Sequence, residues 1–249
     1  MTDYTDGEIE RLQRSELLLG TDAMLRLAHT RVLLFGVGGV GSWCAEALVR
    51  SGVHNLTLVD NDSVSASNCN RQLMATSLTV GHPKVEALRD RLLEINPDAN
   101  IITIQQTYSR ETAAQFHLEK YDFVIDAIDS LKDKMALILH ATETEGVTFL
   151  SSMGAALRID PTRVRVGEFW SIEGDPLARA LRKKFKHDGR YPKHKFLCAY
   201  SEELPMMNKG VTDDTCEYKA VINGSLAHIT ATFGMALAGK IVELVVKGK

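Results

Sequence analysis

The sequence predicts an α/β protein built on a mostly parallel β-sheet with helices on both faces. Short runs rich in β-branched residues alternate with longer amphipathic runs, a pattern typical of βαβ units whose sheet is covered on both sides. A glycine-rich segment at residues 36–41 also stands between the first predicted strand and the helix after it. A strand, a glycine-rich turn and a helix in this order indicate a Rossmann-like sheet.

The alternation is regular as far as residue 152. Apolar runs at residues 31–35, 56–59, 101–104, 123–125 and 147–151 predict five strands. Amphipathic runs at residues 42–50, 84–95, 110–119 and 131–144 predict the helices between them. These elements make up the first part of the chain, residues 1–152.

The second part, residues 153–249, has a looser pattern and is expected to extend the same sheet as a smaller α/β part of one continuous domain. Residues 163–169 and 196–200 read as strands, and residues 177–185 as a helix capped by Asp175 with Pro176 in its first turn. Residues 186–195 and 202–216 have the composition of loops over a site. The apolar segment 225–246 predicts a helix buried under the sheet, and we do not expect it to contact a membrane.

The composition excludes several classes of protein. With 249 residues, 24% of them charged, and a net charge of −3, the chain can bury a core without metal or disulfide cross-links. Its four cysteines, at 44, 69, 198 and 216, form no C-x-x-C pair, which argues against a disulfide framework and a closed zinc site. The first thirty residues do not read as a secretory signal, so we expect a cytoplasmic protein, with peripheral membrane association as an open alternative.

The glycine-rich segment predicts a nucleotide site. Gly36, Gly38, Gly39 and Gly41 follow a strand and open a helix, so they allow a tight turn and bring backbone N–H groups to a phosphate. Asp60 ends the second strand, where a carboxylate can accept hydrogen bonds from a ribose. These residues alone leave NAD and ATP as alternatives.

Residues further along favour ATP with Mg²⁺. Asn68, Arg71 and Gln72 lie in the run Asn68-Cys69-Asn70-Arg71-Gln72, and Lys84 opens a helix twelve residues after it. Two cations and an amide suit a triphosphate better than the pyrophosphate of a dinucleotide. Asp129 follows the fourth strand, where its carboxylate could hold Mg²⁺ against the phosphates. Taken singly, these side chains could equally be surface charges and a helix cap.

Together these motifs resemble the adenylating fold of the ubiquitin-activating-type superfamily that includes ThiF, MoeB and HesA. The resemblance runs from about Arg14 to Ser152. It implies that ATP and Mg²⁺ bind, that a substrate carboxylate attacks the α-phosphate, and that pyrophosphate leaves. The positions carried over for the nucleotide are Gly36, Gly38, Gly39, Gly41, Asp60, Asp62, Asn68, Arg71, Gln72 and Lys84.

The same resemblance implies roles for single residues. Asp60 would hold the ribose, and Asp129 the metal. Arg14 would reach the phosphates of a neighbouring subunit, so that the active unit is a homodimer. An ordinary surface position on the first helix is the alternative for Arg14. The phosphates would be held by Asn68, Arg71 and Lys84.

The second part of the chain narrows the resemblance to one branch. Superfamily members that activate sulfur-carrier proteins usually carry two C-x-x-C pairs, which this chain lacks. The residues that carry the resemblance in its second part are Asp175-Pro176-Leu177, Tyr200-Ser201-Glu202-Glu203 and the predicted helix from Gly224-Ser225 to Gly239. With them the chain is similar to the family of tRNA threonylcarbamoyladenosine dehydratases, which implies ATP-dependent cyclisation of that nucleoside next to the anticodon with release of AMP. The alternative is activation of the C-terminal glycine of a ubiquitin-like or sulfur-carrier protein. A cysteine desulfurase or sulfur-acceptor protein is a further expected partner.

Two other features bear on the chemistry. Cys198 is a candidate nucleophile for a thioester route, against the alternative of a buried thiol, whereas Cys69 and Cys216 are weaker candidates. Between residues 179 and 195, eight Lys and Arg residues stand against one Asp, although the whole chain is acidic. This run is a candidate tRNA surface, and a solvated helix face is the alternative. The residues assigned to it are Arg182, Lys183, Lys184 and Lys186.

Overall fold

The structure, a computed structural model, describes residues 4–209, 212–213, 220–221 and 223–248. Within these residues one large sheet is formed by Arg31–Phe35 (β1), Asn55–Val59 (β2), Asn100–Ile104 (β3), Phe123–Asp126 (β4), Thr148–Ser152 (β5), Val164–Glu168 (β6) and Leu197–Ser201 (β7). Their order across the sheet is β3-β2-β1-β4-β5-β7-β6. All neighbouring pairs are parallel except β6 with β7. The predicted fold class is confirmed, and the second part of the chain does extend the sheet of the first. Two short strands, Thr212–Asp213 (β8) and Ala220–Val221 (β9), pair separately.

Helices cover both faces of this sheet. The side chains of β1 show why, since Val32 and Leu34 are fully buried on one face, and Leu33 and Phe35 are buried on the other. The first face packs against helices near the amino terminus and the last helix, and the second face against the two helices that follow β4 and β6. The helices are Asp6–Leu19 (α1), Thr21–His29 (α2), Gly41–Arg50 (α3), Lys84–Ile95 (α4), Leu131–Glu143 (α5), Pro176–Asp188 (α6) and Ala227–Val246 (α7).

The helix predicted over residues 110–119 is wrong. That segment contains two short 3₁₀ helices, Ala113–Phe116 and Leu118–Lys120. His117 between them has φ 48° and ψ 56°, a left-handed conformation that an α-helix cannot contain. Phe116 and Leu118 are buried on either side of this residue. Their burial explains the apolar spacing that resembles a helix in the sequence.

The predicted packing of the last helix against the sheet is confirmed. Among the described helices, α7 alone is long and apolar enough to span a membrane by length and composition. Its Ile229, Phe233 and Leu237 are fully buried in the same cluster as Val32. At Gly234 an added Cβ would lie 2.5 Å from the carbonyl oxygen of Val40, so α7 approaches the start of α3 backbone to backbone.

Candidate active site

A cavity of about 880 Å³ opens at the carboxyl edge of the sheet. The carboxyl ends of four neighbouring strands lie in register there, because Phe35 pairs with Val59 and Asp126, and Asp126 pairs with Ser151. The chain leaves β1 toward β2 on one side and later returns to β4 on the other. Such a reversal creates a crevice outside the strand ends, where open α/β sheets bind ligands.

The glycine-rich turn closes one side of this cavity. Gly36 has φ 83°, and an added Cβ there would lie 2.6 Å from the carbonyl oxygen of Ala127. A Cβ on Gly41 would lie 1.9 Å from the carbonyl oxygen of Gly36, so this glycine packs within the turn and does not line the cavity. Gly38 and Gly39 do line it, and no side chain caps the amino-terminal end of α3. The turn therefore leaves backbone N–H groups able to meet an anion.

Asp60 lines the cavity with a fixed carboxylate. It accepts hydrogen bonds from the backbone N–H groups of Val37 and Asp62, each at 2.9 Å. The first of these bonds ties the end of β2 to the glycine-rich turn. Burial raises the pKa of the Asp60 carboxyl above its usual value, and nearby Lys84 counteracts part of that shift.

Lys84 lies at the first turn of α4, and its side chain is only 8% exposed. Its Nζ lies 2.6 Å from Oδ2 of Asp62, whose own side chain is 58% exposed. Both residues line the cavity, so Asp62 holds the ammonium group at its edge. An anionic ligand would meet a cation that is already placed and largely desolvated.

The asparagine-arginine-glutamine run is only partly in the cavity. Arg71 lines it and donates to the carbonyl oxygen of Ser67 at 3.1 Å. Gln72 also lines it and is buried, and its Oε1 has no hydrogen-bond partner among the described residues. Asn68 is not a lining residue, because its side chain accepts the N–H of Ser65 at 3.0 Å and closes the preceding turn. The structure therefore gives Asn68 a supporting position rather than the predicted place beside the phosphates.

Asp129 also lines the cavity, in the turn between β4 and α5. It is exposed, and α5 is capped by Ser130 instead. The described residues contain no cluster of three or more His, Cys, Asp or Glu side chains that could hold a metal without other ligands. A single carboxylate does suit Mg²⁺, which is usually held by one or two carboxylates together with phosphate oxygens and water.

A buried ion pair that sequence reasoning missed supports this turn. Lys134 and Asp126 are fully buried, with Nζ 2.7 Å from Oδ2. Ser151 donates its hydroxyl to the same carboxylate oxygen at 2.6 Å. The other oxygen of Asp126 accepts the N–H of Ile128 at 3.0 Å, one residue before Asp129. The pair therefore fixes the backbone that presents Asp129 to the cavity.

Residues of the second part form the remaining wall. Arg158 donates to Asp175 at 3.1 Å, and this ion pair is buried, with side chains 1% and 0% exposed. Asp175 in turn caps α6 by accepting the N–H of Ala178 at 2.9 Å, so the predicted cap is confirmed. Sequence reasoning missed Arg158, because only the three-dimensional structure shows that this arginine is the buried partner of the aspartate that caps α6.

Cys198 lies away from the cavity, on β7. It is fully buried among the side chains behind the sheet, and its thiol contacts the carbonyl oxygen of Gly167 at 3.5 Å. Burial raises the pKa of this thiol to about 12. A thiolate is disfavoured in this environment, and we therefore leave Cys198 out of the chemistry. Cys69 is exposed, and Cys216 lies outside the described residues.

We expect Cys198→Ala to keep turnover close to that of the parent chain, because no bond to substrate is assigned to this thiol. The variant should lose about 1 kcal/mol of unfolding free energy, as is usual when one buried atom is removed. Cys44→Ala is a matched control, since Cys44 is also buried with a pKa raised to about 12. Initial rates and denaturant unfolding measure both effects. A selective loss of turnover in the Cys198 variant would restore the thioester route.

The four residues predicted to bind tRNA differ in how far their side chains are exposed. Lys183 and Lys186 are exposed on α6. Lys184 is half-buried and lies 3.1 Å from Asp188. Arg182 is turned inward, where it donates to the carbonyl oxygens of Phe169 and Ile172 and stacks on the Phe169 ring. The prediction that Arg182 faces RNA is therefore wrong, because its guanidinium holds the turn after β6.

Arg14 is exposed on α1 and does not line the cavity. Two leucines that follow it on the same helix, Leu17 and Leu18, are each 82% exposed. A single copy of the chain thus leaves an arginine and an apolar pair on its surface.

Comparison with known proteins identifies the family. The sequence profile of the ThiF family matches residues 12–248. This chain belongs to the ThiF family. Among its relatives in that family, the tRNA threonylcarbamoyladenosine dehydratase of Bacillus subtilis (strain 168) is 35% identical over 241 residues, which are 94% of this chain and 94% of the relative.

Two further members of the family place this chain within it. The solved structure of the Escherichia coli tRNA N6-threonylcarbamoyladenosine dehydratase TcdA in complex with ATP has a TM-score of 0.87 and 31% identity, covering 98% of this chain and 97% of that chain. The molybdopterin-synthase adenylyltransferase of Escherichia coli (strain K12) is 34% identical over 187 residues, 74% of this chain and 72% of the relative. The likeness to dehydratases thus spans both parts of the chain, whereas the likeness to the adenylyltransferase spans about three quarters of it.

Proposed function

We propose that this chain is an ATP-dependent tRNA threonylcarbamoyladenosine dehydratase. The observation that carries the proposal is the relationship to dehydratases over 94% of both chains, which includes the second part. The cavity supports the proposal, because the glycine turn, the Asp60 carboxylate and the cations of the first part of the chain face a wall that is built by the second part. The cytoplasm, where such a tRNA is found, is the proposed location.

The residues suit an adenylation followed by a cyclisation. In the first step a carboxylate oxygen of the modified nucleoside attacks the α-phosphorus of ATP, and the bond to pyrophosphate breaks. Arg71, Lys84 and the glycine turn hold the phosphates, and Asp60 holds the ribose. Lys84 offsets the negative charge that builds up on the phosphates, and its pairing with Asp62 keeps it in place before ATP arrives.

The second step closes a ring within the substrate. The ureido group of the same nucleoside attacks the acyl carbon, the acyl carbon–oxygen bond breaks, and AMP leaves while the nucleophile gives up a proton. The net change is loss of one water from the nucleoside, with ATP converted to AMP and pyrophosphate. Because nucleophile and acyl group are tethered, proximity favours this step and no enzyme nucleophile is needed.

Mg²⁺ is part of the proposal. Asp129 would hold it, since this exposed carboxylate lines the same cavity as the glycine turn. When bound, the ion supplies positive charge to phosphate oxygens. The chain's own contribution is the fixed turn, which Asp126 and Lys134 hold in place.

A homodimer is also proposed. The exposed Leu17 and Leu18 offer an apolar surface on α1, and Arg14 lies on the same helix. Burying these leucines against a second copy would remove apolar area from water and bring Arg14 toward the neighbouring subunit. A cysteine desulfurase or sulfur-acceptor protein is a further proposed partner, and none of the residues that the structure describes supports it.

The function is tested with purified protein, ATP, Mg²⁺ and tRNA that carries threonylcarbamoyladenosine. We expect the nucleoside to lose the mass of one water, with one AMP and one pyrophosphate formed for each nucleoside converted. Digestion must be gentle, because an activated cyclic product opens easily. Unchanged tRNA would contradict the proposal, and AMP formation stimulated by a small protein ending in glycine would favour the alternative substrate.

The α6 surface gives a separate prediction. The double variant Lys183→Glu/Lys186→Glu should weaken tRNA binding and flatten its dependence on salt, because each contact with a phosphate releases bound cations. ATP affinity should not change, since neither lysine lines the cavity. Lys120→Glu/Lys247→Glu is a control with the same change in net charge at two exposed positions outside α6. An unaltered salt slope in the α6 variant would remove these lysines from the RNA surface.

A further inference from the structure

The side chain of Asn70 joins the two parts of the chain beside the cavity. Its Oδ1 accepts a hydrogen bond from Nη1 of Arg71 at 2.8 Å. Its Nδ2 donates to the backbone carbonyl oxygen of Ser225 at 2.9 Å. Arg71 and Ser225 both line the cavity, whereas Asn70 does not. One amide therefore connects a cation of the first part with the segment of the second part that leads into α7.

The Arg71 guanidinium is held through one nitrogen only. Nη1 donates to the carbonyl oxygen of Ser67 at 3.1 Å as well as to Asn70, so both of its N–H groups are used. Within the described part of the chain, Nη2 and Nε of Arg71 make no hydrogen bond. The N–H groups on these two atoms form the fork with which arginine binds two oxygens of a phosphate. The bond to Asn70 therefore orients the guanidinium and leaves this fork for a ligand.

The backbone of Arg71 is fixed separately from its side chain. Nε1 of Trp43 donates to the carbonyl oxygen of Arg71 at 3.1 Å, and the hydroxyl of Ser42 accepts the N–H of Leu73 at 3.2 Å. Ser42 and Trp43 lie in the first turn of α3, directly after the glycine-rich turn. The position of the Arg71 backbone is therefore set relative to that turn. The direction of its long side chain is the remaining variable, and an arginine side chain has many rotamers.

The segment that carries Ser225 is held from the other side as well. The carbonyl oxygen of Gly224 accepts the N–H of Leu157 at 2.9 Å, and the carbonyl oxygen of Leu157 accepts the N–H of Met206 at 2.8 Å. Ser225 therefore presents its carbonyl oxygen to Asn70 from a fixed backbone. Since Asn70 is exposed, this bond is what orients its amide.

An asparagine suits this place because its amide carries an acceptor and a donor on different atoms. The oxygen meets the cation, and the nitrogen meets the carbonyl group. An aspartate could accept from Arg71, but it would have no donor for Ser225. Its negative charge would also compete with phosphates for the guanidinium.

We propose that Asn70 is a positioning residue, which aims the Arg71 guanidinium at the phosphates of ATP and is itself oriented by Ser225. This role rests on the proposed function, in which Arg71 holds the phosphates. A guanidinium that is set before ATP arrives loses less side-chain freedom on binding, so the nucleotide binds more tightly. The second part of the chain thereby contributes to nucleotide binding through its hydrogen bond to Asn70.

A double-mutant cycle on nucleotide affinity tests this role. Asn70→Ala is made in the parent chain and in Arg71→Ala. The Kd of an ATP analogue with a methylene group between its α- and β-phosphorus atoms is measured by isothermal titration calorimetry with Mg²⁺ present. In the parent chain Asn70→Ala should raise Kd about tenfold, as expected when one hydrogen bond to a charged group is lost. In Arg71→Ala it should raise Kd less than about threefold, because Asn70 acts through Arg71.

Asn100→Ala is the matched control. Asn100 is also exposed, and its Nδ2 donates to Oδ1 of Asn55 at 3.2 Å. These two residues begin β3 and β2, at the edge of the sheet away from the cavity. Asn100→Ala should therefore leave Kd unchanged. Denaturant unfolding should give Asn70→Ala and Asn100→Ala midpoints close to that of the parent chain, because both side chains are exposed.

Asn70→Asp tests the bond to Ser225, because aspartate keeps an oxygen for Arg71 but cannot donate to the carbonyl group. Cys69→Asp places the same charge one residue away, on an exposed side chain, and controls for repulsion of the phosphates. Asn70→Asp should bind the analogue at least about threefold more weakly than Cys69→Asp, since it alone loses the bond to Ser225.

The role of Asn70 is overturned if Asn70→Ala raises Kd less than about threefold in the parent chain, or by about threefold or more in Arg71→Ala. Orientation by Ser225 is overturned if Asn70→Asp binds the analogue within about threefold of Cys69→Asp. The proposed function fails separately, if the parent chain binds the analogue but does not convert tRNA in the presence of ATP and Mg²⁺.

Discussion

Asp129→Ala is expected to lower AMP formation by about a hundredfold or more, the usual effect of removing one group that stabilises charge in a transition state. The free energy of unfolding should change by less than about 0.5 kcal/mol, because the side chain is exposed and does not cap α5. The reason for the large loss of rate is that the cavity would lose the carboxylate assigned to Mg²⁺.

Two measurements check this expectation, namely AMP release with modified tRNA and denaturant unfolding. Asp129→Asn is the matched variant, since it keeps the shape and one oxygen but removes the charge. We expect it to need a higher Mg²⁺ concentration for half-maximal rate. Normal turnover by the alanine variant at low Mg²⁺ would withdraw the assignment of Asp129.

Lys134→Met is expected to have the largest effect on stability, a loss of about 3–5 kcal/mol. The substitution leaves the buried carboxylate of Asp126 without its cation, which lies 2.7 Å away in the parent structure. The double variant Asp126→Asn/Lys134→Met removes the stranded charge and should recover much of the loss.

Lys240→Met is a suitable control for that comparison. Lys240 also forms an ion pair, with Glu243 at 2.9 Å, but its side chain is 26% exposed and that of Glu243 is 41% exposed. Such a surface pair contributes less than about 1 kcal/mol. If denaturant unfolding gave Lys134→Met and Lys240→Met the same small loss, Asp126 and Lys134 would not be the support of the Asp129 turn.

The sequence could predict the strands around the cavity because each is an apolar run buried on both faces. It could also predict the positions of Gly36, Asp60 and Asp129, since residues that end neighbouring parallel strands meet at one edge. The failure at residues 110–119 has a local cause, the left-handed His117, which no periodicity reveals.

Buried charges were harder to foresee. Lys134 and Arg182 occur in helices among other polar residues, where a lysine or arginine normally faces solvent. Their partners, Asp126 and Ile172, lie eight and ten residues earlier in the chain, outside the helix that carries each cation. The burial of Cys198, in contrast, could have been predicted from the sequence. The alternation of residues 196–200 places Phe196 and Cys198 on the same face of a strand, and both are buried in the structure.

The central claim is that the carboxylate of the modified nucleoside is activated by direct transfer of AMP. Oxygen-18 in that carboxylate tests it, because attack on the α-phosphorus followed by cleavage of the acyl carbon–oxygen bond leaves one substrate oxygen on the phosphate of AMP. Mass spectrometry of AMP from a single turnover measures the label. We predict one labelled oxygen in each AMP released. Unlabelled AMP, or label found in inorganic phosphate, would contradict the account.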